Sequence, residues 1–115
     1  MTSKEEVESF LEGFKVKMNV WGVLFRDDRG KNTQALLDLE LRPVDREKIL
    51  QELDALDFCE GPILDTMYGG SSLWVFGKTI KKEEVYIKIT LGIVGSSTIC
   101  ISFHIAEYPM NYAFK

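Results

Sequence analysis

At 115 residues, with 45% hydrophobic and 28% charged side chains, the chain is sized for one domain spanning residues 1–115 and has an ordinary globular composition. No apolar run approaches the ~20 residues that cross a bilayer, so no membrane partner is expected. The net charge of −4 disfavours nonspecific nucleic-acid binding, yet it is uneven. Residues 1–60 carry 9 Lys and Arg against 14 Asp and Glu, and residues 61–115 carry 5 against 4, which leaves room for a local basic cleft.

The acidic, helical-looking start does not read as a secretory signal. The expected location is therefore cytoplasmic, with Cys59 and Cys100 reduced. No Cys or His cluster has zinc-ligand spacing, and no cofactor is expected.

Ser3-Lys4-Glu5-Glu6 forms a capping box, and Val7, Phe10, Leu11 and Phe14 recur with helical spacing. The pattern predicts a helix over 3–14, weakened late by Gly13. Val16, Val20, Trp21, Val23 and Phe25 predict a strand over 15–25. Arg26 to Asn32 reads as a charged turn, followed by a helix over 32–40 with Ala35, Leu36 and Leu39 inward. Arg42-Pro43 starts another helix, with Asp45 in its first turn and Ile49, Leu50, Leu53 and Leu56 as its stripe. Phe58 to Leu64 is irregular, with a turn at Gly61-Pro62 and room for a short strand. Tyr68 to Ser72 reads as a flexible loop.

Leu73 to Ile80 predicts a strand, and 81–84 a tight hairpin connection. Val85 to Leu91 and Thr98 to Ile105 then alternate strictly, the mark of strands with one buried face. The aromatic tail from Tyr108 to Phe114 should pack down, and Trp21 and Trp74 are assigned to the core. The order α-β-α-α-β-β-β predicts an α+β fold, an antiparallel sheet covered on one face by the N-terminal helices.

Face matching gives a register. A Lys82-Glu83 loop sets Thr79 opposite Tyr86, Gly77 opposite Lys88, Phe76 against Ile89 and Trp74 against Leu91. The next hairpin sets Tyr86 opposite His104 and Lys88 opposite Ser102; a one-residue slip would bury His104 and Lys88. The open face then carries Val75, Gly77, Thr79, Tyr86, Lys88, Thr90, Cys100, Ser102 and His104, with Ile99, Ile101, Phe103 and Ile105 buried. Gly77 leaves a hollow for a ligand.

These residue types suit RNA cleavage by the neighbouring 2′-hydroxyl. His104 exchanges protons near neutral pH and can act as general acid or base, with Tyr86 as its partner. Lys88 can stabilise the crowded phosphorane. Ser102 beside it, and Arg26, Arg29 and Lys31 from the charged turn, are candidate substrate contacts. The same residues also describe a solvated sheet face and a salt-bridged loop. A non-catalytic interaction domain using that face and the aromatic tail, or a small-molecule site over Gly77, fits the pattern too.

Leu73-Trp74-Val75-Phe76, Glu84-Val85-Tyr86-Ile87-Lys88-Ile89-Thr90 and Ile101-Ser102-Phe103-His104 resemble the motility quorum-sensing regulator (MqsR) family. Its members are mRNA-cleaving toxins of bacterial type II toxin–antitoxin systems, related in fold to RelE-type ribonucleases. The resemblance covers mainly residues 73–104. It implies a metal-independent endoribonuclease with an RNA substrate and no direct DNA contact. It also implies a cognate antitoxin that covers the open face or docks on a sheet edge. Tyr86 matches the family's active-site tyrosine. His104 stands where the family's Ser-Phe-Lys places a basic catalytic residue. The family's Gln after the Trp is Val75 here, no Lys lies near Cys59-Glu60, and the family is usually basic where this chain is acidic.

Overall fold

In the computed structural model, residues 1–65 and 70–115 are described, with Arg29 as backbone alone. Tyr68 and Gly69 of the expected loop lie outside the described residues. The described chain is an α+β fold: α1 (Lys4–Trp21), β1 (Val23–Phe25), α2 (Lys31–Asp38), α3 (Pro43–Gln51), β2 (Phe58–Ile63), β3 (Leu73–Ile80), β4 (Glu83–Thr90) and β5 (Thr98–Ile105). Short 3₁₀ turns at Asp27–Arg29 and Ala55–Asp57 link them. Among the described residues, no helix is long and apolar enough to cross a membrane.

The Ser3 capping box forms as expected, its side chain accepting from the Glu6 N–H. α1 does not stop at Phe14, however, and the strand expected over 15–25 shrinks to three residues. Met18 continues the stripe of Val7, Phe10, Leu11 and Phe14 one turn further into the core. Val16, Val20 and Trp21 face outward, with Trp21 54% exposed, so core packing of the stripe overrides their β propensity. Gly22, at φ 82°, ends the helix and donates to the Met18 carbonyl. α3 starts at Pro43 but ends at Gln51, five residues before Leu56, which is largely exposed.

The sheet order is β1-β5-β4-β3-β2. It is mixed, because β1 pairs parallel with β5 while the other pairs are antiparallel. The three helices cover one face. Their Phe10, Phe14, Met18, Ala35, Leu39 and Leu50 pack against Trp74, Phe76, Ile87, Ile89 and Phe103 in one cluster. Phe10 stacks on Trp74 with centroids 4.4 Å apart.

Two departures change which residues reach the open face. The β3–β4 loop is Lys81-Lys82, both at positive φ (50° and 72°), as a type I′ turn requires. Glu83 therefore pairs with Ile80, and the expected register moves by two. Gly77 lies opposite Tyr86, Val75 opposite Lys88, Phe76 opposite Ile87 and Trp74 opposite Ile89, while Thr79 meets Glu84. A two-residue shift keeps every side chain on its expected face.

The second departure is a break in register between Lys88 and Ile89. Tyr86 does face His104 and Lys88 does face Ser102, but Ile89 pairs with Cys100 rather than Ile101. The extra β5 residue reverses the alternation below Ser102. Cys100 is fully buried in the helix-side core, while Ile99 and Ile101 join Ile63 and Leu73 in a second apolar cluster.

Candidate functional site

Asn32, at the start of α2, bonds to the backbone beside this irregularity. Its amide nitrogen donates to the carbonyls of Arg26 (2.9 Å) and Ile101 (3.1 Å), and its side-chain oxygen accepts from the Phe103 N–H (2.9 Å). Only 4% exposed, it satisfies backbone groups that the broken ladder leaves over. It thereby binds the charged turn to the part of β5 that presents Ser102 and His104.

Over this part of the sheet opens a groove of about 690 Å³. Its floor carries Val75, Tyr86, Lys88, Ile101, Ser102 and His104; Cys59 and Glu60 form one wall, and Arg26, Lys31 and Asn32 another. The segment from Ala106 to Asn111 closes a third side. Of the seven predicted site residues, six line this groove: Tyr86, Lys88, Ser102, His104, Arg26 and Lys31. For Arg29 only the backbone is described, at the end of the 3₁₀ turn.

Two rows of paired residues cross the floor. In one, Glu60 faces Val75, Val75 faces Lys88, and Lys88 faces Ser102. In the next, Gly77 faces Tyr86 and Tyr86 faces His104. The Tyr86 and His104 rings stack, with centroids 5.3 Å apart and planes 14° apart. Lys88 Nζ stands 5.9 Å from the Tyr86 ring centre. His104 Nδ1 lies 3.0 Å from the Ile105 carbonyl. With that nitrogen donating to the carbonyl, Nε2 is left to accept or carry the exchangeable proton.

Burial raises the Tyr86 phenol above its ordinary value, and the nearby charges of Glu60 and Cys59 push the same way. Tyr86 is thus a proton donor in hydrogen bonds at neutral pH, not a base. The Cys59 thiol is pushed up to about 11, chiefly by burial and then by Glu84 and Asp57. The Glu107 carboxyl is held low by its hydrogen bond and ion pair with Lys31. Arg26 pairs with Asp28 at 3.3 Å, and Asp27 is taken by the buried Arg46 at 2.8 Å, so the charged turn is salt-bridged as its composition predicts. Lys88 makes no ion pair among the described residues.

The hollow expected over Gly77 is filled. Tyr112 lies across it so closely that a Cβ on Gly77 would stand 2.6 Å from the phenol oxygen. That oxygen donates to Glu84 at 2.8 Å, and the other Glu84 oxygen accepts from the Met110 N–H at 3.0 Å. The Ala113 N–H donates to the Phe58 carbonyl, and Phe114 stacks on Phe58. The tail packs down as its aromatic content predicts, which removes the small-molecule site over Gly77 and leaves Tyr108 as its largely exposed ring.

Sequence reasoning missed Asn32, Glu60 and the groove wall from Ala106 to Asn111. Asn32 had a usable signal, a polar residue in phase with Ala35 and Leu39 on the inward side of a helix. Among the described residues, no group of three or more His, Cys, Asp and Glu side chains could hold a metal ion. Comparison of the chain with family models, curated proteins and solved structures found no match.

Proposed function

We propose that this groove binds single-stranded RNA and cleaves it by attack of the 2′-hydroxyl on the adjacent phosphate, as the toxin of a toxin–antitoxin pair in an MqsR/RelE-like fold. The observation that carries the reading is the Tyr86–His104 stack with the unpaired Lys88 beside it, on the floor of a groove of about 690 Å³. The reaction needs one group to protonate the leaving 5′-oxygen, one cation on the phosphorane and donors to its oxygens.

In this reading His104 Nε2 protonates the leaving oxygen. The Tyr86 ring holds the imidazole in plane, and its protonated phenol donates to the phosphate. Lys88 stabilises the added negative charge, with Ser102 opposite as a further donor. Arg26 and Lys31, already partnered with Asp28 and Glu107, steer the flanking phosphates by exchanging carboxylate for phosphate. The acidic residues of α1 and α3 belong to helices packed on the other face of the sheet, while Arg26, Lys31 and Lys88 line the groove beside Glu60 and Glu107. An antitoxin would act by covering the groove.

The test is incubation of purified protein with single-stranded RNA in EDTA, alongside the His104→Ala and Lys88→Ala variants, and expression of each in a bacterial host. Wild type should cut and arrest growth, and His104→Ala should do neither. If wild type and His104→Ala leave RNA equally intact and growth unaffected, the fold serves as a non-catalytic interaction domain.

A further inference from the structure

The reaction proposed for this groove moves two protons, one off the 2′-hydroxyl and one onto the 5′-oxygen, on opposite sides of the phosphorus. The chain has a single histidine, so a second proton carrier has to come from another side chain on the groove. Ser102 is an aliphatic hydroxyl and does not ionise in this range. Tyr86 and Cys59 both hold their protons more tightly than usual, and Glu107 is engaged by Lys31.

Glu60 remains. It is exposed on the groove wall, and its carboxylate makes no hydrogen bond or ion pair among the described residues. It sits in the row Glu60, Val75, Lys88, Ser102, with His104 one pair along on the far strand. Three strand spacings of about 4.8 Å, and two residues of about 3.4 Å each along β5, separate their backbones by roughly 16 Å. Both residues line the groove, Glu60 from β2 and His104 from β5, with Lys88 on β4 between those strands. Val75, 2% exposed, is the low apolar floor over which a sugar–phosphate can lie.

We propose that Glu60 is the general base of this site, paired with His104 as the general acid across a phosphate held by Lys88. The inference rests on the reading of the groove as an RNA-cleaving site. The Glu60 carboxylate takes the 2′-hydroxyl proton as the 2′-oxygen bonds to phosphorus. The bond from phosphorus to the 5′-oxygen breaks, and that oxygen takes its proton from the His104 imidazolium. The products are a 2′,3′-cyclic phosphate and a 5′-hydroxyl, with Glu60 protonated and His104 neutral. Water then adds to the cyclic phosphate with the roles reversed: His104 removes the water proton, and Glu60 returns its proton to the 2′-oxygen. Both residues are restored.

The charged and titratable groups facing the pair are Lys88 and Tyr86 from β4, Cys59 from β2, Arg26 and Lys31 from the charged turn, and Glu107 and Tyr108 from the tail.

The experiment is the pH dependence of kcat/KM for cleavage of a single-stranded RNA oligonucleotide by wild type, Glu60→Gln and Glu60→Asp, with RNA affinity measured in parallel. Wild type should give a bell. Glu60→Gln should lose at least about 100-fold and its acid limb should flatten, with RNA bound as well or better. Glu60→Asp should keep the acid limb at reduced rate. Glu60→Gln cutting at the wild-type rate with its acid limb intact overturns the assignment and leaves the RNA-cleaving reading standing. No cleavage by the wild type overturns both.

Discussion

Replacing Asn32 by Ala tests the link between the break in register on β5 and the site above it. The change removes two donated hydrogen bonds and one accepted bond, all to backbone, from a residue 4% exposed. The Phe103 N–H is buried, and the Asn32 side-chain oxygen is its acceptor. A buried donor left without a partner costs about 1–3 kcal/mol, and stranded carbonyls, with two lone pairs each, cost less. A water entering the vacated space recovers part of this, so the expected loss is about 2–4 kcal/mol. For a domain of this length that corresponds to a fall in Tm of roughly 10 °C.

Asn32→Asp separates hydrogen bonding from packing. The carboxylate still accepts from Phe103 but faces two carbonyl oxygens with no proton to offer. It should destabilise at least as much as Ala at neutral pH. Burial and those carbonyls hold its folded pKa above the unfolded value, so stability should recover as pH falls and the carboxyl gains a donor. Urea and thermal unfolding of the three proteins between pH 4 and 8 provide the readout. A Tm shift for Asn32→Ala under about 3 °C, or an Asp variant insensitive to pH, would refute the role assigned to Asn32.

Two other contacts make separate predictions. Tyr112→Phe should cost about 1 kcal/mol, below the usual range for a bond to a charged acceptor because the site is only partly buried. Burial and Glu84 raise the Tyr112 phenol, so the difference from wild type should hold constant below pH 10 and shrink above it in denaturant titrations. Gly77→Ala should destabilise the wild type by a similar amount, because its Cβ displaces that phenol, yet be neutral or stabilising in a Tyr112→Ala background, where alanine suits a strand better than glycine. The thiols should be slow. With Cys59 pushed up to about 11, its reaction with a disulfide reagent at pH 8 should run roughly 100-fold below that of a free cysteine and rise tenfold per pH unit, while Cys100 reacts only on unfolding.

How much of this was legible before the structure differs by element. The apolar, β-prone run Leu73–Ile80 and the strict alternation of Val85–Leu91 marked both strands, and the faces assigned to them survived a hairpin register wrong by two residues. Tyr86 against His104 and Lys88 against Ser102 were readable because burying either polar residue of β4 or β5 would oppose the core. The break in register was not readable, since Ile99 to Ile105 alternates without a flaw. Asn32, distant in sequence, bonds to Ile101 and Phe103 beside the break. α1 ran past Phe14 because Met18 extends its stripe and Gly22 supplies the stop; β-branched residues on its solvent side obscured that signal. Glu60 entered the site through pairing with Val75 across two register shifts in β2, and the tail through Glu84. Such long-range contacts leave no local periodicity to read.

The central claim is that the groove cleaves RNA through attack of the substrate's own 2′-hydroxyl, with His104 as proton donor. The most direct measurement uses one RNA oligonucleotide and its copy carrying a single 2′-deoxy nucleotide at the cut position, each incubated in EDTA with wild type and with His104→Ala. Wild type should cut the all-RNA strand, leave a 2′,3′-cyclic phosphate or the 3′-phosphate formed when water opens it, and spare the deoxy copy, and His104→Ala should be at least about 100-fold slower. Intact RNA with wild type, or equal cutting of the deoxy copy, would contradict the account.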